Sequence, residues 1–142
     1  MIFRTDNGAL ARRVFDEMWT QGNLDLADEI VAPEFVGRQS GMAPFHGPAG
    51  AKQVIGRLRT AFPDIAFTIE ELVAEGDLVA TRWTARGTND GEFLGMAPSG
   101  RRVTLDGVTF QRFKAGRIVE GWTQADVLGL LEQITMSEPA PA

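Results

Sequence analysis

The stretch Val79 to Asp126, VATRWTARGTNDGEFLGMAPSGRRVTLDGVTFQRFKAGRIVEGWTQAD, decides the fold. Its first part alternates, with Val79, Trp83 and Ala85 on one side and Arg82, Thr84 and Arg86 on the other, the period of a half-buried strand. The loop Met96-Ala97-Pro98-Ser99-Gly100 leads into a second strand, Arg101 to Phe113, and Lys114-Ala115-Gly116 turns the chain back as a third, Arg117 to Ala125. Upstream, Ile65, Phe67 and Ile69 alternate with Ala66, Thr68 and Glu70, and Glu75-Gly76-Asp77 supplies the turn between that strand and Val79. Strands joined by tight turns are antiparallel neighbours, so residues 65 to 125 predict a meandering antiparallel sheet.

Before Pro63 the period is helical. Leu10, Val14, Phe15 and Met18 make an apolar stripe over Thr5 to Thr20, which Gly22 ends. Asn23 is placed to cap a second helix running through Val31, with Asp25 in its first turn and Pro33 just beyond. A short strand, Glu34 to Gln39, comes next. Gly47-Pro48 then opens a third helix whose inner face is Val54, Ile55, Leu58 and Phe62, stopped by Pro63. The expected class is α+β, three N-terminal helices packed on the sheet, in one domain over residues 1–136 with a frayed tail at 137–142.

Composition removes several functions. The chain has 142 residues, enough for one domain with its own core and no metal or disulfide staple. Asp and Glu number 19 against 14 Lys and Arg, for a net charge of -5, so nucleic acid is not an expected partner. No window has the apolar length of a membrane span, and Asp6 and Arg12 interrupt the region where a signal peptide needs its apolar core, so no membrane partner and a cytoplasmic location are expected. With no Cys, no Tyr and one His, His46, a single chain cannot build a thiol nucleophile or a Cys and His zinc site.

Four motifs point further: Trp19-Thr20-Gln21-Gly22-Asn23, Gly47-Pro48-Ala49-Gly50, Ala61-Phe62-Pro63-Asp64, and the loop Gly91 to Arg102 between its flanking strands. With these the chain resembles the SnoaL-like polyketide cyclases over nearly its whole length. That resemblance implies the cone-shaped fold of the nuclear-transport-factor-like superfamily, a curved antiparallel sheet with helices closing one mouth around a hydrophobic pocket. Ketosteroid isomerases and scytalone dehydratases share the superfamily but depend on Tyr, or on Tyr with paired His, and neither set can be assembled here. The best-known cyclases of the family use a His and an Asp on the last two strands to move the proton for an intramolecular aldol closure. The aligned positions of this chain hold Thr109 and Thr123, whose hydroxyls can bond a carbonyl but are too weakly acidic to serve as a free general base.

Two other residues are candidates for that catalytic role. Asp126 follows the last strand and precedes Leu128-Gly129-Leu130-Leu131, so it reads either as the N-cap of a final helix or as a carboxylate under an apolar lid. His46, in Pro44-Phe45-His46-Gly47-Pro48 near the expected mouth, carries the side chain best suited to acid-base work near neutral pH, although a surface His bonded to a loop carbonyl is the commoner arrangement. Arg38 and Gln39 end a strand, where an inward guanidinium would bind a carboxylate or enolate oxygen and an outward one would simply be solvated. Leu105, Thr109 and Thr123 share the inner face of the last strands, and Trp19, Phe62 and Met96 join them as expected walls of the pocket.

Together these readings predict an enzyme acting on a small hydrophobic carbonyl or polyketide-like substrate by cyclisation, isomerisation or hydration, with no metal or organic cofactor. A binding protein that has lost the acid-base pair is the second reading. A limonene-type epoxide hydrolase, built on Asp106, Arg82 and Asp126, is the third. Val108, Phe110 and Trp122 alternate onto the outer face of the sheet and predict a homodimer through it.

Overall fold

A computed structural model describes residues 6–135, and the expected tail at 137–142 lies outside them. The chain opens with α1 (Asn7–Arg13), capped by the Asp6 carboxylate, which accepts from the Ala9 amide at 3.1 Å. The same rod continues as a π-helical segment, Val14–Thr20, whose wider turn brings Val14, Phe15, Met18 and Trp19 together against the sheet. It ends where Gly22 adopts a φ of 77°, and Arg59 Nη1 donates to the carbonyls of Trp19 and Thr20 left open by the last turn.

The second helix is shorter than its sequence suggests. Asn23 occupies the cap position without a side-chain bond, a single 3₁₀ turn spans Leu24–Leu26, and α2 covers only Ala27–Ile30. Val31 already belongs to β1 (Val31–Gln39), so Pro33 lies inside a strand and not after a helix. The pairing of β1 is irregular between Val31 and Val36, where Pro33 offers no N–H to a ladder. A two-residue strand, β2 (Phe45–His46), leads into α3 (Gly47–Ala61), with Pro48 in its first turn.

The long strands are β3 (Ala66–Glu75), β4 (Leu78–Thr88), β5 (Arg102–Lys114) and β6 (Arg117–Ala125), followed by α4 (Val127–Thr135). They form one curved, six-stranded sheet in the order β2-β1-β6-β5-β4-β3. The meander β3 to β6 is antiparallel, as alternation predicts, whereas β1 joins β6 in parallel, with Val36 opposite Glu120 and Gln39 opposite Thr123. A register shift between Ile69 and Glu71 sets Glu71 opposite Arg82, and the two form an ion pair at 2.7 Å. None of the described helices is long and apolar enough to cross a membrane.

Two apolar clusters hold the helices on the sheet. One joins Val14, Met18, Ile30 and Ile55 to Phe35, Val79 and Ile118, and the other joins Phe15, Phe62, Leu130 and Ile134 to Phe67, Trp83 and Val103. α4 is fixed by Gln133, which accepts from the Thr104 amide and donates to the Thr104 carbonyl, both at 2.8 Å. The loop from residue 89 to 101 hangs on Asn89, which is fully buried. Its amide donates to the carbonyl of Gly91 and its oxygen accepts from the amide and hydroxyl of Ser99. At the base of that loop Asp64 accepts from the Thr88 hydroxyl at 2.7 Å and from the Thr88 amide, and these bonds hold its carboxyl below the ordinary aspartate range.

Candidate active site

The concave face of the sheet and the helices enclose a cavity of about 1020 Å³. Val14, Phe15, Met18 and Trp19 form one wall, and α3 contributes Ala51, Ile55 and Leu58. The strands present Phe35, Gln39, Phe67, Trp83, Leu105, Thr109 and Thr123. Phe93 and Leu94 approach from the loop that Asn89 anchors. Arg38, Lys52, Arg57 and Glu92 are the charged groups on the lining, and Glu92 is its one carboxylate among the described residues. An apolar chamber with a few placed polar groups is the usual form of a small-molecule site.

A polar row crosses the floor of this chamber because strand pairing puts one residue from each strand in line. Thr81 faces Thr109, Thr109 faces Thr123, and Thr123 faces Gln39. The Trp83 indole Nε1, which can only donate, gives its hydrogen to Thr109 Oγ1 at 2.9 Å, and the hydroxyls of Thr109 and Thr123 lie 2.9 Å apart. Gly107, opposite Trp83, is what admits the indole, since a side chain there would collide with the six-membered ring. Thr109 is 6% exposed, and its hydroxyl is bonded at both ends of this chain. Thr123 ends the chain at the cavity surface.

The structure brings Trp19, Arg38, Gln39, Leu105, Thr109 and Thr123 together on one lining. Four of the expected site residues are not on it. Phe62 is 1% exposed, sits at the C-terminal cap of α3 and packs edge-on to Phe93 with ring centroids 5.3 Å apart, so it belongs to the core. Met96 packs on the same cluster, and the adjoining Phe93 and Leu94 reach the cavity in its place. His46 is exposed on β2, while its neighbour Phe45 turns inward. Asp126 is exposed and takes the cap position: its Oδ1 accepts from the Gly129 amide at 2.9 Å and its carbonyl from Leu130 at 3.1 Å.

Arg82, Asp106 and Asp126 do meet, but in a separate shallow depression with Val108 and Gln124. There Arg82 is bound to Glu71, and Asp106 accepts from Thr84 Oγ1 at 3.0 Å. The trio is therefore not inside the cavity that an epoxide hydrolase reading would require. Among the described residues no three His, Cys, Asp or Glu side chains gather into a metal-binding cluster. Glu92 was not singled out by sequence reasoning, because a loop has no period from which to read where its side chain lies.

A cone of curved sheet and helices around an apolar chamber with a floor of hydroxyls defines a nuclear-transport-factor-like fold. The model of the SnoaL-like polyketide cyclases matches residues 9–134, and the chain belongs to that family. It is 28% identical over 115 residues to nogalonic acid methyl ester cyclase of Streptomyces nogalater, covering 80% of this chain and 86% of the relative. Among solved structures, a proposed SnoaL-like polyketide cyclase from Jannaschia sp. CCS1 superposes with a TM-score of 0.86 at 28% identity, over 100% of both chains. Wild-type IdmH, a proposed polyketide cyclase from Streptomyces antibioticus, does so with a TM-score of 0.80 at 32% identity, covering 93% of this chain and 100% of its own.

Proposed function

We propose that the protein closes a ring in a small, hydrophobic, polyketide-like carbonyl substrate by acid-base chemistry without a cofactor. The observation that carries this reading is the Trp83–Thr109–Thr123 hydrogen-bond chain on the floor of an apolar cavity. In this reading Thr109 accepts from the indole and donates its own hydrogen to Thr123, which leaves the Thr123 hydrogen free for a substrate oxygen. Each bond in such a chain polarises the next, and apolar walls strengthen the result.

In the proposed step the Glu92 carboxylate removes a proton from the carbon beside a carbonyl, and the negative charge moves to the carbonyl oxygen held by Thr123. The enolate carbon attacks a second carbonyl of the same molecule, forming the ring bond. The new alkoxide takes the proton back from Glu92. Atoms and charge balance, and product and substrate are isomers. In this reading Gln39, opposite Thr123 at the end of β1, holds the second oxygen.

The test is incubation of the full chain with nogalonic acid methyl ester, the compound in the relative's name, followed by chromatography and mass spectrometry. A product of unchanged mass with a new ring is expected. Substrate bound and released unaltered would favour the binding-protein reading.

We also propose that the molecule pairs with a second copy through the outer face of the sheet. Phe110 stands opposite Trp122, and Phe110 and Val108 are 43% and 36% exposed. Arg112, two residues beyond Phe110 on the same strand and paired with Asp77 at 2.8 Å, is a polar group at the edge of this patch. A native mass of two chains at micromolar concentration is expected, falling to one chain in Phe110→Lys with little change in melting temperature. A wild-type monomer would overturn the proposal.

A further inference from the structure

Among the described residues, two other than glycine hold a left-handed backbone, Leu94 with a φ of 49° and Ala115 with a φ of 51°. Each precedes a glycine that is left-handed too, Gly95 at 81° and Gly116 at 77°. Each pair forms the centre of a two-residue turn. Lys114 stands opposite Arg117 across one, and across the other the Phe93 and Met96 amides donate to each other's carbonyls at 3.1 and 2.9 Å. The first central position of such a turn suits Asn or Gly, because a positive φ crowds a larger side chain against its own backbone. Ala115 departs from that rule mildly and Leu94 severely. Leu94 is also 67% exposed, so packing in the core does not offset the crowding.

The loop keeps Leu94 in that conformation. Asn89 bonds to both Gly91 and Ser99, and Gly91 lies so close to the end of α3 that a side chain would collide with the Thr60 carbonyl. Backbone strain persists where surrounding structure over-determines it, and it gathers at sites that clamp a ligand. Leu94 and Met42 are exposed apolar members of the cavity lining, whereas Ala115 lies outside that lining.

We propose that Leu94 is a specificity-determining residue: the strained turn holds its isobutyl group at the open end of the cavity, where it covers the outer, hydrocarbon end of a bound substrate. The inference rests on the cavity being a small-molecule site, and it adds what the open end of that site selects. A molecule short enough to end inside the chamber leaves Leu94 in water and gains nothing from it. One whose hydrocarbon reaches the rim covers Leu94 and gains apolar contact there. The strain in the empty protein is thus the counterpart of selection by length.

Titration calorimetry of the full chain with 4-ethyl-, 4-butyl-, 4-hexyl- and 4-octylphenol tests this, beside thermal melting of the same proteins. Leu94→Asn is expected to melt higher than wild type by roughly 2–4 °C, the shift produced by relieving one strained residue in a chain of this length. It is expected to bind the short phenols as wild type does and the longest roughly five- to twentyfold more weakly, the worth of covering about half of a Leu side chain. Leu94→Met, which keeps the apolar reach, is expected to hold the long phenols within about twofold of wild type. Ala115→Asn relieves the matching turn away from the cavity, so it is expected to stabilise without changing any affinity. Unchanged binding of the long phenols by Leu94→Asn overturns the assignment. So does a loss equal at every length, which would make Leu94 a support of the cavity's shape, and so does a melting temperature no higher than wild type. In those three cases the wild type still binds and the cavity reading stands, whereas a wild type that binds none of the series overturns the two readings together.

Discussion

Glu92→Gln is expected to lower kcat for ring closure by about 10²- to 10⁴-fold, the usual contribution of a positioned general base. Gln keeps the length and shape of Glu but cannot take up a proton. The side chain is exposed on the loop at the cavity, so its replacement is expected to leave the melting temperature and ligand affinity nearly unchanged. Asp126→Asn is the matching control. That carboxylate caps α4 from outside the cavity, and Asn is an equally good cap, so activity within about twofold of wild type is expected. Full activity in Glu92→Gln with a loss in Asp126→Asn would reverse the assignment and require Asp126 to reach the cavity in a conformation other than this one.

The second large effect is expected at Thr123. Thr123→Val keeps the branched shape and removes the hydroxyl at the end of the Trp83–Thr109 chain, so the developing enolate loses its donor. Removing one such donor typically costs about 10²- to 10³-fold in kcat. The Thr109 hydroxyl also loses its acceptor, for a stability cost of about 1 kcal/mol. Thr109→Val breaks the chain one link earlier while leaving the Thr123 hydroxyl present, so its expected loss is smaller. Equal losses in the two variants would mean that Thr109 contacts substrate directly. No loss in either would remove the hydroxyl chain from the mechanism.

Strand alternation accounts for what was legible of this site. Leu105, Thr109 and Thr123 could be put on one face because a strand turns its side chains over every residue. The rule stops where strands stop. Asp126 is the residue after β6, and there the helix that it caps sets its direction. Phe62 and Met96 lie at a helix end and in a loop, where side-chain direction follows from tertiary packing. The break of the second helix at Val31 and the parallel pairing of β1 with β6 were illegible for another reason: both depend on which distant strand lies alongside, and no local pattern carries that information.

The parallel seam between β1 and β6 also determines how the protein comes apart. The contact of Ser40 with Thr123 at its end joins residues 83 positions apart, whereas β3 to β4 and β5 to β6 are linked by two-residue turns and β4 to β5 by the loop of residues 89–101. Closing a loop of that length costs more chain entropy than closing a hairpin, so the seam is the last part of the sheet to zip and the first to open. Opening it removes Phe35, Arg38 and Gln39 from the cavity while the meander remains standing. A ligand that binds only the zipped form therefore works as a clasp, and amide hydrogen exchange in β1 should slow in proportion to ligand occupancy while that of β4 stays as it was.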